Sequence, residues 1–386
     1  MTFQTFAAKL DMIFAEYSDC KESADLKKIL VAVENYPNNN GGVALMYVHT
    51  RNKAYAADGI DVTVLNFQAA ESYVYDGIPV VTVSDYKSDK KKYDILVCHA
   101  ANIRHHYLFL KKHGDDFERF IFFFHGHEVL KINKTYSKPY PYVRSSKIKL
   151  WLQDCYDDFK LSVWRKYYPK QKGKSTFVFV SNWMLDEFLK WTKIPYESIK
   201  EHCEITYNCV GKAFEEATYD PAISKEYDFI TVRSYMDGSK YCIDLVNKLA
   251  FANPELKFLI VGKGEFFNHY EKAPNITWLN QTMNHQEIIQ HMQKSRCALM
   301  PTRTDAQGLM MCEMAAFGIP VITSDIPVCH EVFDDFENAF FIDNQNGNAS
   351  LHKYLTDNCK SKKDCRFFLS NTAKKEIEII KNNTRH

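Results

Sequence analysis

Apolar residues in this chain gather in short, nearly unbroken runs separated by longer mixed stretches. Ile29–Val33, Val62–Phe67, Val80–Val83, Ile95–Cys98, Phe120–Phe124 and Phe177–Val180 are such runs. A strand that is apolar on both faces fits a parallel sheet covered by helices, not a sheet with one wet face. Between the runs, Gly42–Ala57 and Ile103–His113 read as helices. After Tyr207-Asn208 the cycle restarts. Phe229–Val232, Phe258–Val261, Ile276–Leu279, Ala298–Met300, Pro320–Thr323 and Ala339–Ile342 alternate with helices near 240–252, 284–295 and 309–317. Strand–helix punctuation run through twice predicts two doubly wound α/β sheets. The pattern lapses within Gly211–Lys225, around Pro221, which sets a domain boundary there. Lys362–Lys381 reads as a closing helix.

One segment adds chemistry to this pattern. Pro301-Thr-Arg-Thr-Asp305-Ala-Gln-Gly308-Leu-Met-Met-Cys-Glu313-Met-Ala-Ala-Phe-Gly318-Ile-Pro320 places two carboxylates around a glycine turn that enters an apolar helix. Gly318 as a left-handed cap, with Pro320 beyond it, stops that helix. Gly308 therefore lies between a strand tip and a helix N-terminus, where open α/β sheets bind ligands. Backbone N–H groups converge there, the helix dipole favours an anion, and glycine has no Cβ to keep a ligand away. Arg233 and Lys240 follow the first strand of the second half. A planar fork and a point charge at a strand mouth fit a diphosphate. Gly41-Gly42 close an asparagine-rich loop after the first strand of the chain, and N–H groups opening the next helix suit a phosphate. His125 stands at the tip of Phe120–Phe124, with His127 and Glu128 just beyond.

The stretch 301–324 resembles the donor-site signature of the retaining glycosyltransferases of family 4. That signature is an acid, seven residues and a second acid, with a glycine turn between them and a tail that here reads Glu313-Met-Ala-Ala-Phe-Gly-Ile-Pro-Val321. Two positions depart from it. Asp305 is one methylene shorter than the usual Glu, and Gln307 replaces the aromatic before the glycine; both positions face the transferred sugar in the family. Gly41-Gly42, His125, Val180-Ser181-Asn182-Trp183, Tyr207-Asn208, Arg233 with Lys240, and Val261-Gly262-Lys263-Gly264 extend the resemblance over most of the chain. The resemblance implies an α/β GT-B fold, two Rossmann-like domains facing a central cleft. Residues 1–212 would take the acceptor and 213–361 a nucleotide-diphosphate sugar, with 362–386 returning to the first domain. It implies retaining transfer of a sugar to a hydroxyl of a glycan, lipid-linked or protein acceptor, in surface polysaccharide or glycoconjugate synthesis. By carry-over, Glu313 holds the ribose and Asp305 a sugar hydroxyl. Gly308, Leu309 and Met310 offer backbone to sugar and phosphate, and Arg233 and Lys240 hold the diphosphate. Gly41, Gly42 and Gly262 line the donor site, Trp278–Met283 borders the nucleobase, and His125 reaches the sugar from the opposite domain.

Bulk properties bound this reading. A length of 386 residues exceeds one small core and predicts two or three domains. A formal charge of +1 gives no whole-chain case for nucleic acid. Eleven cysteines, none in a Cys-x-x-Cys pair, predict reduced thiols of a cytoplasmic protein. Met1–Phe6 lacks the basic start of a signal peptide, Asp11 interrupts the apolar run behind it, and no stretch is apolar enough to span a bilayer. Arg144–Lys174 carries nine Lys or Arg against three Asp, interleaved with Trp151, Trp164, Tyr167 and Tyr168. On one surface these residues suit an anionic membrane at its inner face; in a bundle helix the aromatics are core. There is no Asp-x-Asp, His-Glu-x-x-His or Walker loop. The expectation is therefore no metal and no cofactor, with protein cations and helix ends taking the charge of the leaving diphosphate. Other readings remain: a non-catalytic nucleotide-sugar-binding partner of another transferase, a GT-B epimerase or phosphorylase, and an α/β dehydrogenase, the last opposed by an incomplete glycine fingerprint.

Overall fold

The computed structural model describes residues 27–42, 44–89, 91–143, 146–355 and 361–382. The reading of Met1–Phe6 and Asp11, together with Val43, Arg144, Cys20 and Cys359, falls outside them. The first half forms one sheet from β1 (Lys28–Val33), β2 (Asp61–Asn66), β3 (Tyr73–Tyr75), β4 (Ile78–Val81), β5 (Ile95–His99), β6 (Arg119–Phe124), β7 (Ser175–Phe179) and β8 (Cys203–Ile205). Their order is β3-β4-β2-β1-β5-β6-β7-β8, and every pairing is parallel except β3 with β4. The second half forms a six-stranded parallel sheet from β9 (Tyr227–Tyr235), β10 (Phe258–Lys263), β11 (Ile276–Leu279), β12 (Ser295–Leu299), β13 (Val321–Ser324) and β14 (Ala339–Ile342), ordered β11-β10-β9-β12-β13-β14.

The apolar runs have a simple cause. Along β1, Ile29, Val31 and Val33 face one layer while Leu30 and Ala32 face the other, and both layers are closed by helices. Two strands, β3 and β8, escaped the sequence reading, and β4 holds only Val80 and Val81 of the expected Val80–Val83 run. β3 and β4 are joined by Asp76-Gly77, both at positive φ (46° and 80°), a two-residue hairpin. β8 is only partly buried, so it has no apolar run.

The helices used below are α1 (Met46–Ala57), α2 (Lys147–Gln171), α3 (Asn182–Thr192), α4 (Ile243–Ala252), α5 (His285–Gln293), α6 (Leu309–Phe317), α7 (Pro327–Phe333) and α8 (Leu369–Lys381). α1 starts at Met46, not Gly42. Asn38 Oδ1 accepts the N–H groups of Asn40 and Gly42, and Leu45 sits at φ 55°, so this stretch folds as a turn. Ile103–His113 is a π-helical turn, Ile103–Tyr107, followed by one α-helical turn.

Three connections hold the halves together. α8 returns to the first sheet, where Ile380 joins the cluster of β1 and α1. Beside it the Arg51 guanidinium meets Glu376 at 3.0 Å, each side chain 1% exposed, and Tyr55 and Thr206 also donate to that carboxylate. Cys203–Ile205 leads through Tyr207-Asn208 into the second domain. Finally, the segment 136–143 of the first domain crosses over. Tyr140 lies in the core of the second domain against Phe266, and its hydroxyl donates to Asp244 at 2.9 Å. Nine cysteines are described, none in a disulfide, and six of them are buried.

Candidate functional site

The chain leaves β9 toward β10 and β11, then returns to β12 on the other side. The crevice between the tips of β9 and β12 is thus the switch point of the second sheet. The turn after β12 carries Asp305 and Gly308; β9 runs past the expected Val232, so Arg233 sits within its C-terminal end and Lys240 in the turn after it.

Gly308 caps α6 at φ 79°, and Gly318 ends it at φ 98°, donating to the carbonyls of Met314 and Ala315. A Cβ on Gly308 would strike the Met311 methyl. Leu309 and Met310 open the helix, so their N–H groups have no carbonyl within it. Asp305 is half-buried and braces the turn: its Oδ1 accepts from Ala306 N at 2.8 Å. One helical turn on, Glu313 is only 4% exposed. Its carboxylate has Gly211 N–H at 3.4 Å and His285 Nε2 at 3.9 Å. Burial pushes the Glu313 carboxyl up to about 7, against the weak pull of that N–H.

Arg233 is buried, donates through Nη2 to Pro301 O at 2.7 Å, and leaves Nε without a partner among the described residues. Burial pushes its guanidinium down, and the charge of Asp305 opposes that push. Arg233 and Lys240 converge on one ring: their charged ends lie 5.1 and 4.8 Å from the centroid of Tyr241. Gly262 has φ 157°, and a Cβ there would strike the carbonyl oxygen of Arg233, so only glycine fits. Trp278 donates to the carbonyl of Gly262 at 3.0 Å, tying the 278–283 segment to the same loop.

On the facing domain, His125 is half-buried at the tip of β6. It shares a hydrogen bond of 3.1 Å with His99 at the tip of β5, and Tyr47 packs edge-on at 5.0 Å. Burial, and then the charge of Arg51, push the His125 imidazole down to about 3. It is therefore a neutral ring. Glu128 is buried and takes the N–H groups of His125 and Gly126, so it shapes this loop. Gly41 and Gly42 lie in the Asn38 turn, where Gly42 N–H is already taken.

Gln307 is placed differently from expectation. Its side chain is taken up by the protein. It is buried and pairs with the backbone of Asn208, accepting from its N–H at 2.6 Å and donating to its carbonyl. An amide matches a peptide group on both sides, which an aromatic ring cannot. Asn208 in turn accepts from Arg51, and Arg51 lies over Tyr47, which touches His125. Ser181 donates to Ala306 O, and Glu331 of α7 caps the N-terminus of α3 through the N–H groups of Asn182 and Trp183. Sequence reasoning missed Glu331, because nothing local to it announces a helix 148 residues away.

Comparisons with known proteins agree with this geometry. Residues 222–375 match the family model Glycosyl transferases group 1. The chain has the GT-B fold. Sucrose-phosphate synthase of Thermosynechococcus elongatus superposes with a TM-score of 0.61 at 13% identity, over 92% of this chain and 95% of that one. WaaG, a glycosyltransferase involved in lipopolysaccharide biosynthesis, gives 0.58 at 14%, over 91% and 99%. HepE of Anabaena, solved with UDP and glucose, gives 0.59 at 14%, over 92% and 96%. Among curated proteins, the O-antigen biosynthesis glycosyltransferase WclY of Escherichia coli is 28% identical over 125 residues, 30% of this chain. The matched stretch spans 34%, about a third, of that relative. The group 1 domain thus contains Arg233, Lys240, Gly262, Asp305, Gly308 and Glu313, while His125, Gly41 and Gly42 lie outside it.

Proposed function

We propose that this protein is a retaining, metal-independent glycosyltransferase that moves a sugar from a nucleotide-diphosphate sugar to a hydroxyl of a glycan or lipid-linked acceptor. One observation carries the reading. Arg233 and Lys240 lie over one ring, Asp305 acts on Arg233 through its charge, and a left-handed glycine opens the helix that carries Glu313. Arg233 and Lys240 take the charge of the departing diphosphate, assisted by the N–H groups of Leu309 and Met310. Glu313 accepts from the ribose and Asp305 from the sugar. His125, neutral, offers a hydrogen bond from the other domain as the oxocarbenium-like sugar forms, and the acceptor hydroxyl enters on the face the diphosphate leaves. The relatedness to WclY supports a role in polysaccharide synthesis, and HepE makes uridine diphosphate sugars the first donors to try.

The test is steady-state kinetics of Asp305→Ala and Glu313→Ala. Glu313 touches the ribose, which does not change during reaction, so its loss weakens donor binding; Asp305 touches the reacting sugar, so its loss lowers kcat. Each costs roughly 2–4 kcal/mol, about 30- to 1,000-fold. Wild-type kcat and KM in both variants would move the donor site elsewhere. Donor binding without transfer to any acceptor would favour a non-catalytic partner.

A second reading concerns the membrane. α2 divides in two: Trp164 and Tyr168 are fully buried, but Ile148, Trp151, Leu152 and Phe159 stand exposed, Trp151 by 63%, beside Lys147 and Lys149. An apolar helix tip ringed with lysines suits insertion among anionic headgroups, which would bring a lipid-linked acceptor to the cleft.

A further inference from the structure

A cavity of about 370 Å³ opens at the C-terminal ends of β1 and β2, on the same edge of the first sheet as His99 and His125. That size is near the lower end of the roughly 300–1,000 Å³ of ligand pockets, enough for the end of a glycan. Its chemistry is unlike that of the donor crevice. Asn35, Asn38, Asn40 and Asn66 line it with carboxamides, Tyr73 and Ala69 supply apolar surface, and Glu71 is the acidic group on its rim. No Lys, Arg or His is among the lining residues.

Several of these groups are held in advance. Asn38 is fixed through its oxygen, which takes two backbone N–H groups, and its Nδ2 has no partner among the described residues. Asn66 is held by Gln68 N–H and by Tyr73, whose hydroxyl donates to Pro37 O at 2.9 Å. Gln68, also on the wall, is tied to Glu34 at the tip of β1, and Glu34 is gripped by His105 at 2.7 Å and Asn102 at 2.6 Å from the π-helical turn after β5. The Asn35 Oδ1 accepts the Tyr36 N–H at 2.8 Å, which leaves its Nδ2 to a ligand, and the Asn40 carboxamide makes no hydrogen bond among the described residues. A carboxamide offers a donor and an acceptor side by side, the complement of two neighbouring hydroxyls. Glu71 on the rim, with no cation to answer it, repels carboxylates and phosphates.

We propose that this cavity binds the sugar end of an uncharged glycan acceptor, with the Asn35, Asn38 and Asn40 carboxamides pairing to its hydroxyls and the apolar wall meeting its C–H face. The proposal rests on the glycosyl-transfer reading and names the acceptor class it serves. Asn38 and Asn66, already held, meet a sugar without first having to be ordered, which favours affinity.

The experiment is saturation-transfer NMR on the full chain with neutral probes, the methyl glycosides of glucose, galactose and N-acetylglucosamine, against glucuronate and glucose 6-phosphate. Neutral glycosides should bind and charged sugars should not. Asn35→Ala and Asn40→Ala, both exposed loop side chains, should each weaken neutral binding about tenfold while leaving the melting temperature unchanged. Glu71→Lys should admit the charged sugars. Charged sugars binding the wild type as well as neutral ones would overturn the proposal. So would neutral binding indifferent to both Asn variants, or no neutral binding at all. Thermal shift by UDP-glucose and GDP-mannose on the same samples separates the two failures. A donor shift that persists without neutral-sugar binding sinks the cavity alone; loss of both sinks the transfer reading with it.

Discussion

If Glu313 holds the donor ribose as proposed, donor affinity depends on pH in a direction that can be worked out beforehand. In the free protein burial raises its carboxyl to about 7, with only Gly211 N–H opposing. Ribose hydroxyls donating to the carboxylate favour its charged form and draw its pKa down in the complex. Below about pH 7 binding must then expel a proton, so affinity rises with pH and levels off once the free carboxyl is ionised. With the bound pKa back near an ordinary carboxylate, Kd should fall about tenfold, or about 1.4 kcal/mol, between about pH 6 and about pH 8. His285 faces Glu313 at 3.9 Å, and burial holds its imidazole below the ordinary histidine range, which favours its neutral form. A nucleotide sugar is a better probe than a free diphosphate, because it has no terminal phosphate titrating near pH 6. Titration calorimetry in two buffers of different ionisation enthalpy would show about one proton released at the acid end. Glu313→Gln should bind with flat pH dependence. A flat wild-type curve, or the same tenfold slope in Glu313→Gln, would refute the reasoning.

Other expectations follow from the same architecture. If Arg233 and Lys240 neutralise the diphosphate as proposed, transfer should survive excess EDTA; activity lost to chelation and restored by manganese would contradict this. Glu376→Ala leaves the Arg51 guanidinium buried without its counter-charge, so it should destabilise the protein by about 3–5 kcal/mol in denaturant unfolding; a midpoint near wild type would show that water or another group takes over. Replacing Trp151 and Leu152 with Ser, and Lys147 and Lys149 with Gln, should release the protein from anionic vesicles without changing turnover of a soluble acceptor, and wild-type binding should weaken with salt. Vesicle binding unchanged in that variant would return the tip of α2 to an ordinary exposed surface.

The parts of this molecule that were legible in its sequence are those whose cause is local. α6 runs from Leu309 to Phe317 as expected because two glycines at positive φ bound it, and β6 takes in the expected Phe120–Phe124 because a strand buried on both faces needs an unbroken apolar run. The β3–β4 hairpin was legible in Asp76-Gly77 and was missed because its strands are short and half exposed. Gln307 shows the opposite limit. Its neighbours make it look like one wall of a sugar pocket, yet its partner lies 99 residues upstream, at Asn208. The pairing of Arg51 with Glu376 spans 325 positions and leaves no local trace. At the β1 and β2 tips the sequence offered only an asparagine-rich turn. The cavity depends on Asn66 and Tyr73 arriving from another strand and a hairpin.

The crossing of Tyr140 bears on how such an enzyme can be re-engineered. Donor preference is an obvious trait to exchange by grafting the group 1 domain of one relative onto the acceptor domain of another. In this chain the graft would be incomplete at any junction near Gly211. The ring packed beside Phe266, and the Tyr142 hydroxyl that donates to Asp237 at 2.6 Å, are both encoded about seventy residues before that junction, in the first half. A chimera carrying a foreign second domain would meet the wrong tyrosines there and leave a gap or a clash in its core. The unit to transplant is therefore discontinuous, the second domain together with residues 136–143, and a junction library that varies only the linker should yield mostly insoluble protein.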